Sequence, residues 1–196
     1  KPHYLAFLFA PLFSASAGGV EALLGLFDGL SADSRLTLVS VLHLPENRPS
    51  LLADLFARRL KLRVKEAEDK EDLCPGTLYF AGAGYHLSIE RDHSFSLSRE
   101  APRHFSRPSI DFLFESAADV YRERLVGILL TGANEDGAAG LAKIQRLGGL
   151  SIVQNPAEAQ IPTMPEAALA LHTPDYILSL REIGALLCRM DTRHAE

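Results

Sequence analysis

Three residues of this chain carry side chains that together could do nucleophilic chemistry: Ser16, His43 and Asp136. A serine hydroxyl is a poor nucleophile near neutral pH. It needs an imidazole to take its proton and a carboxylate to hold that imidazole in one tautomer. Ser16 stands before Ala17-Gly18-Gly19, small residues that permit a tight strand-to-helix turn with the hydroxyl exposed. A helix N-terminus at that turn would also offer free backbone N–H groups to an oxyanion. Each residue has a plainer reading. Ser16 could be a helix cap, with Ser14 as the more interesting serine; His43 could be a hydrogen-bonded loop residue; Asn134 and Asp136 could cap the next helix. Gly18-Gly19 could also cradle a phosphate, but neither a P-loop lysine nor a G-x-G-x-x-G pattern is present. The order Ser, His, Asp differs from that of ordinary α/β-hydrolases, which run Ser, acid, His.

The elements around these residues suggest how they would be brought together. Leu125 to Leu130 is a continuous apolar run, too short for a helix, as expected of a strand covered on both faces. It stops at Thr131-Gly132, so Asp136 lies at a strand tip. Leu36–Leu42 reads as a strand that ends in His43. Tyr4–Phe13 holds a first strand, placed either before Pro11 or from about Leu12, because proline cannot donate to a ladder. Helices are expected over Val20–Phe27, over Leu51–Leu60 with Ser50 as cap, over Ile110–Tyr121, from Gly137 to Leu147, over Glu166–Leu171 and over Leu180–Cys188. Further strands are expected at Leu62–Val64, Leu150–Val153 and Tyr176–Leu178. Thr77–Phe80, Tyr85–Ile89 and Phe95–Leu97 read as a small antiparallel extension. Strands alternating with helices imply a doubly wound, three-layer α/β fold with a mostly parallel sheet. Ligands of such sheets bind at the carboxyl ends of the strands.

Composition narrows the function. An apolar fraction of 47% and a charged fraction of 23% over 196 residues fit one domain with a real core. A net charge of -5 with no basic run argues against nucleic acid as the main partner. Cys74 and Cys188 have no metal-type spacing, and no other ligand cluster is visible, so neither a metal nor an organic cofactor is indicated. No membrane-spanning stretch or signal peptide is apparent, which points to a cytoplasmic protein. The chain begins at Lys1, as an excised or trimmed piece would.

Five segments occur together and in order: SASAGGVEAL at 14–23, VLHLP at 41–45, RPSID at 107–111, GILLTGANEDGAAGL at 127–141 and MPEAAL at 164–169. Together they resemble the catalytic domain of the chemotaxis receptor methylesterases, the CheB family, from about Phe13 to about Leu187. The resemblance implies Ser16 as nucleophile, His43 as general base and Asp136 as orienting acid. It implies hydrolysis of glutamyl γ-methyl esters on cytoplasmic chemoreceptor helices, with glutamine deamidation as a second activity. Backbone N–H groups near Ala17 and Ala133 are the oxyanion candidates. Arg107 and Met164 are expected near the site because the matched motifs carry them; His86 is a further candidate that could equally be a surface residue of the hairpin. Ser14, Ala133-Asn134 and Glu166 depart from the family pattern and suggest altered substrate preference. The receiver domain that precedes the catalytic domain in typical members is absent from this chain; the partners implied are a methylated receptor and a receiver or methyltransferase domain in cis or trans. A docking domain without turnover, or an esterase for another acyl substrate, are the rival readings.

Overall fold

The structure is a computed structural model that describes residues 6–10, 17–43 and 51–194. In chain order the strands are Ala6–Ala10 (β1), Thr37–Ser40 (β2), Arg63–Glu66 (β3), Thr77–Phe80 (β4), His86–Ile89 (β5), Phe95–Ser98 (β6), Leu125–Leu129 (β7), Leu150–Gln154 (β8) and Tyr176–Leu178 (β9). The helices are Ala17–Phe27 (α1), Leu52–Arg59 (α2), Ile110–Tyr121 (α3), Ala138–Arg146 (α4), Thr163–Leu171 (α5) and Leu180–His194 (α6). Seven strands form one sheet in the order β3-β4-β2-β1-β7-β8-β9, and every pairing in it is parallel. The chain winds outward from β1 to β3 on one side, then returns to β7 on the other. This reversal beside β1 is the crevice where doubly wound sheets bind ligands.

The apolar run of β7 behaves as its pattern requires. Val126, Ile128 and Leu130 face a core shared with Leu23 and Phe27 of α1 and Ile183 and Leu187 of α6. Leu125 and Leu129 face the opposite core, with Ile110 and Phe114 of α3 and Leu141 and Ile144 of α4. Each face buries its own helices, so the strand carries no polar side chain; at Gly127 a Cβ would lie 2.6 Å from Ile144 Cδ1 of α4. Helices α3 and α4 approach closely at Gly140, where a Cβ would lie 2.6 Å from the Cβ of Phe114.

Three expectations require correction. The run Thr77–Phe80 does not belong to an antiparallel extension: it is β4, a fully buried inner strand between β3 and β2. Its four buried residues mark it as a two-faced parallel strand, and only β5 and β6 form the separate antiparallel hairpin. Helix α2 has Leu51, not Ser50, at its N-cap and no side-chain cap; Ser50 lies outside the described residues. The last helix, α6, runs six residues past Cys188. The first strand takes the earlier of its two expected placements, before Pro11.

Candidate active site

His43 follows β2 by three residues, and Asp136 follows β7 by seven. The parallel register through β1 brings these two strand ends to the same edge of the sheet. There His43 Nε2 lies 2.9 Å from Asp136 Oδ2. The carboxylate is fully buried, whereas the imidazole keeps 12% of its side-chain surface exposed. Ser16 and Ser14, the other expected members of this region, lie outside the described residues; α1 begins at Ala17, the residue after Ser16.

Asp136 is held by α3 as well as by its own loop. Ser109 Oγ donates to Oδ1 at 2.8 Å, the Asp111 N–H donates to Oδ1 at 3.0 Å, and the Ile110 N–H donates to Oδ2 at 2.7 Å. Its own N–H donates to Asn134 Oδ1 at 3.0 Å, which fixes the turn that aims the carboxylate inward. Asp136 is thus an N-terminal acceptor for α3 and not, as the local reading suggested, for the helix that follows it. Helix α4 instead starts after Gly137, whose φ of 94° suits glycine alone; a Cβ there would meet Ile110 and Leu129 at 2.6 Å. Burial raises the pKa of Asp136, but the hydrogen bonds with His43, Asp111 and Ile110 outweigh it and bring the pKa below the ordinary carboxylate value. Asp136 is therefore ionised at neutral pH, the ring proton of His43 sits on Nε2, and Nδ1 presents its lone pair. That lone pair meets Ser106 Oγ at 3.0 Å.

His86 does not reach this pair. It is fully buried, stacks on Phe112 at 4.6 Å, donates from Nε2 to the Ala101 carbonyl and accepts the Ser109 N–H at Nδ1. It therefore steadies the residue that caps α3 and holds Asp136. Arg107, after which the peptide to Pro108 is cis, donates from Nη1 to the carbonyls of Arg99 and Glu100 and so ties the segment after the hairpin to the start of α3. Met164 is buried, and its N–H donates to the Gly132 carbonyl, anchoring α5 to the tip of β7. Gly132 N–H is itself taken by Ile161, whereas the neighbouring Ala133 is exposed. Glu166 is exposed on α5.

Sequence reasoning passed over His104, Ser106, Ser109 and Asp111 as site residues. His104 Nε2 lies 3.2 Å from Asp111 Oδ2, and its Nδ1 lies 3.4 Å from Glu135 Oε1. Ser109 carried a usable signal, a cap residue just before an apolar periodic run; Ser106 carried none. His104, Asp111 and Asp136 form a potential metal-ligand group among the described residues, with donor atoms within 4.8 Å of one another. Both Asp136 oxygens and Asp111 Oδ1 already accept N–H or O–H groups, so a cation there would have to displace them. The donor set suits a proton-transfer site better than a metal centre.

The family model described as CheB methylesterase matches residues 12–187. A protein of Leptospira interrogans is 41% identical over 187 residues, which covers 95% of this chain and 97% of that protein. The protein-glutamate methylesterase/protein-glutamine glutaminase 3 of Pseudomonas aeruginosa is 38% identical over 90% of this chain, and the chain spans about half of its length (52%). The crystal structure of the Thermotoga maritima CheB methylesterase catalytic domain superimposes with a TM-score of 0.88 at 26% identity, covering 95% of this chain and 98% of that one.

Proposed function

The chain belongs to the CheB methylesterase family, and from that premise we propose that it is a serine hydrolase acting on glutamyl γ-methyl esters of cytoplasmic chemoreceptor helices. Methanol is the product, and deamidation of receptor glutamines, which releases ammonia, is the second activity. The observation that carries this reading is the His43 ring, tied through Nε2 to a buried carboxylate with Nδ1 turned away from it. In this assignment Ser16 attacks the ester carbonyl and Nδ1 takes its proton. The same nitrogen returns the proton to methanol or ammonia, then activates the water that resolves the acyl-enzyme. Asp136 holds the tautomer and stabilises the imidazolium. Backbone N–H groups near Ala17 and Ala133 would face the oxyanion. Met164 and His86 act at a distance, one by seating α5 on the β7 tip and the other by fixing Ser109; Arg107 does so by tethering the hairpin to α3.

The buried Asp136 carboxylate weighs against a docking-only role, since binding alone gives no reason to bury a carboxylate on four donors. We read the whole chain as one catalytic domain that needs no cofactor, with a receiver or methyltransferase domain in cis or trans as the partner that controls it. No described helix is long and apolar enough to cross a membrane.

Methanol release from a methylated receptor fragment tests the reading. Wild type should turn over, and Ser16→Ala should be slower by about a thousandfold or more. A folded wild-type chain that binds the fragment without releasing methanol would favour the docking role instead.

A further inference from the structure

Both nitrogens of His43 are engaged, and the partner on Nδ1 is a hydroxyl. With the ring proton on Nε2 and directed at Asp136, Ser106 Oγ–H donates to Nδ1 across 3.0 Å. A serine hydroxyl on a neutral imidazole whose other nitrogen is held by a buried carboxylate is the arrangement that activates a nucleophile.

The backbone around Ser106 is built to present it. Arg103 and Ser106 exchange both backbone hydrogen bonds, at 3.1 and 2.8 Å, closing a two-residue turn over His104 and Phe105. Both turn residues are left-handed, with φ of 49° and 62°. Such turns normally use Asn-Gly, and a fully exposed Phe105 is a poor fit to that backbone. Strain of this kind persists only where the surroundings over-determine it. Here the surroundings are visible: His104 is gripped by Asp111 and Glu135, its carbonyl accepts from Asn134 Nδ2, and Arg103 makes two hydrogen bonds to the Glu115 carboxylate. The clamp fastens the turn to the same β7 tip that carries Asp136. Among the described residues, Ser106 Oγ has, apart from His43, only a 3.4 Å contact to the His104 carbonyl.

We propose that Ser106 is a second acyl-accepting hydroxyl of this site, served by the same His43–Asp136 pair as Ser16. The proposal rests on the serine-hydrolase reading above. In the first step Ser106 Oγ bonds to the ester carbonyl carbon while its proton passes to Nδ1. The tetrahedral oxyanion then collapses, the bond to the methoxy oxygen breaks, and methanol leaves with the proton from Nδ1. Water attacks the resulting Ser106 ester and gives a proton to Nδ1, which returns it to Ser106 Oγ as the bond to the acyl carbon breaks; the glutamic acid side chain departs and releases its remaining proton to solvent as it becomes the carboxylate. Nδ1 has one lone pair, so Ser16 and Ser106 are alternatives and not simultaneous partners.

Diisopropyl fluorophosphate, which phosphorylates activated serines with loss of fluoride, separates the cases when the full chain is read by intact mass and peptide mapping. Ser16→Ala is expected to take up one group, located on Ser106, and adding His43→Ala should slow that uptake by about a hundredfold. The Ser16→Ala, Ser106→Ala double variant should take up none. Wild type labelled on Ser16 with Ser16→Ala unlabelled would overturn the role of Ser106 and leave the hydrolase reading standing. Labelling of Ser106 that ignores His43→Ala would overturn it too, and an unlabelled wild type would overturn both readings. If Ser16→Ala did not fold, Ser106→Cys provides the second measurement. The introduced thiol should react with iodoacetamide about a hundredfold faster than the exposed Cys74, and His43→Ala should remove that advantage. Equal rates would overturn the proposal.

Discussion

The tip of β7 and the first turn of α3 each place a carboxylate in the interior, Asp136 and Asp111, only 1% or less exposed. Burial opposes ionisation of both, yet their pKa values move in opposite directions. Asp136 ends below the ordinary carboxylate value because the His43 side chain and the Asp111 and Ile110 N–H groups together outweigh desolvation. Asp111 ends above it: desolvation dominates, the Gly140 N–H at 2.6 Å offsets only part, and the Asp136 charge adds to the rise. Donor number, not depth, decides which acid is a firm anion. The anion opposite His43 is Asp136, held by the donors gathered around it.

The largest effect that could break this comparison is Asp136→Asn. It removes the charge and aims an amide at groups that already donate. The hydrolysis rate is expected to fall by about a thousand- to ten-thousandfold, and urea unfolding should show a loss of about 2–4 kcal/mol from the unpaired donors of α3. A rate within about tenfold of wild type would mean that the carboxylate does not orient His43.

His86→Ala probes the contrast from a distance. It leaves the Ser109 N–H without its acceptor and opens a cavity beside Phe112, so a stability loss of about 3 kcal/mol is expected. The rate should fall by about tenfold, because Ser109 and Ile110 are donors to Asp136. An unchanged rate at full destabilisation would show that the Asp136 cluster holds without the His86 prop.

The smallest effect concerns Asp111. Its folded form holds its proton more tightly than the unfolded chain does, so the stability it contributes is greatest below the unfolded value of about 4 and declines as the pH rises through the folded value. Asp111→Asn should remove that decline. Urea unfolding between about pH 3.5 and 7 should show the variant gaining on wild type with rising pH. Asp136 has the opposite sign: its contribution is present above about 4 and is lost as the pH falls through its depressed folded value. A parallel pH dependence in wild type and Asp111→Asn would contradict the asymmetry.

Local pattern carried much of the design. The continuous run of Leu125–Leu130, the β-branched run before His43 and the helix over Ile110–Tyr121 are read from neighbours within a few residues, because burial on two faces and helical periodicity impose local requirements. The alternation of strands and helices was enough for the parallel, doubly wound class. What the short runs of residues 77–97 could not reveal was their partners. Periodicity records how many faces a strand buries, and four buried residues in a row at Thr77–Phe80 belong to an inner strand whichever sequence neighbour is nearest.

By itself, then, the sequence determined the element order, the sheet class and the pair His43 and Asp136 at strand ends. Only the tertiary structure decided that Asp136 caps α3 in place of α4, that His86 props Ser109, and that Ser106 faces Nδ1. Each of those contacts joins residues 23 to 63 positions apart. No local propensity encodes such a meeting, because its geometry exists only once the strands are in register and both cores are packed.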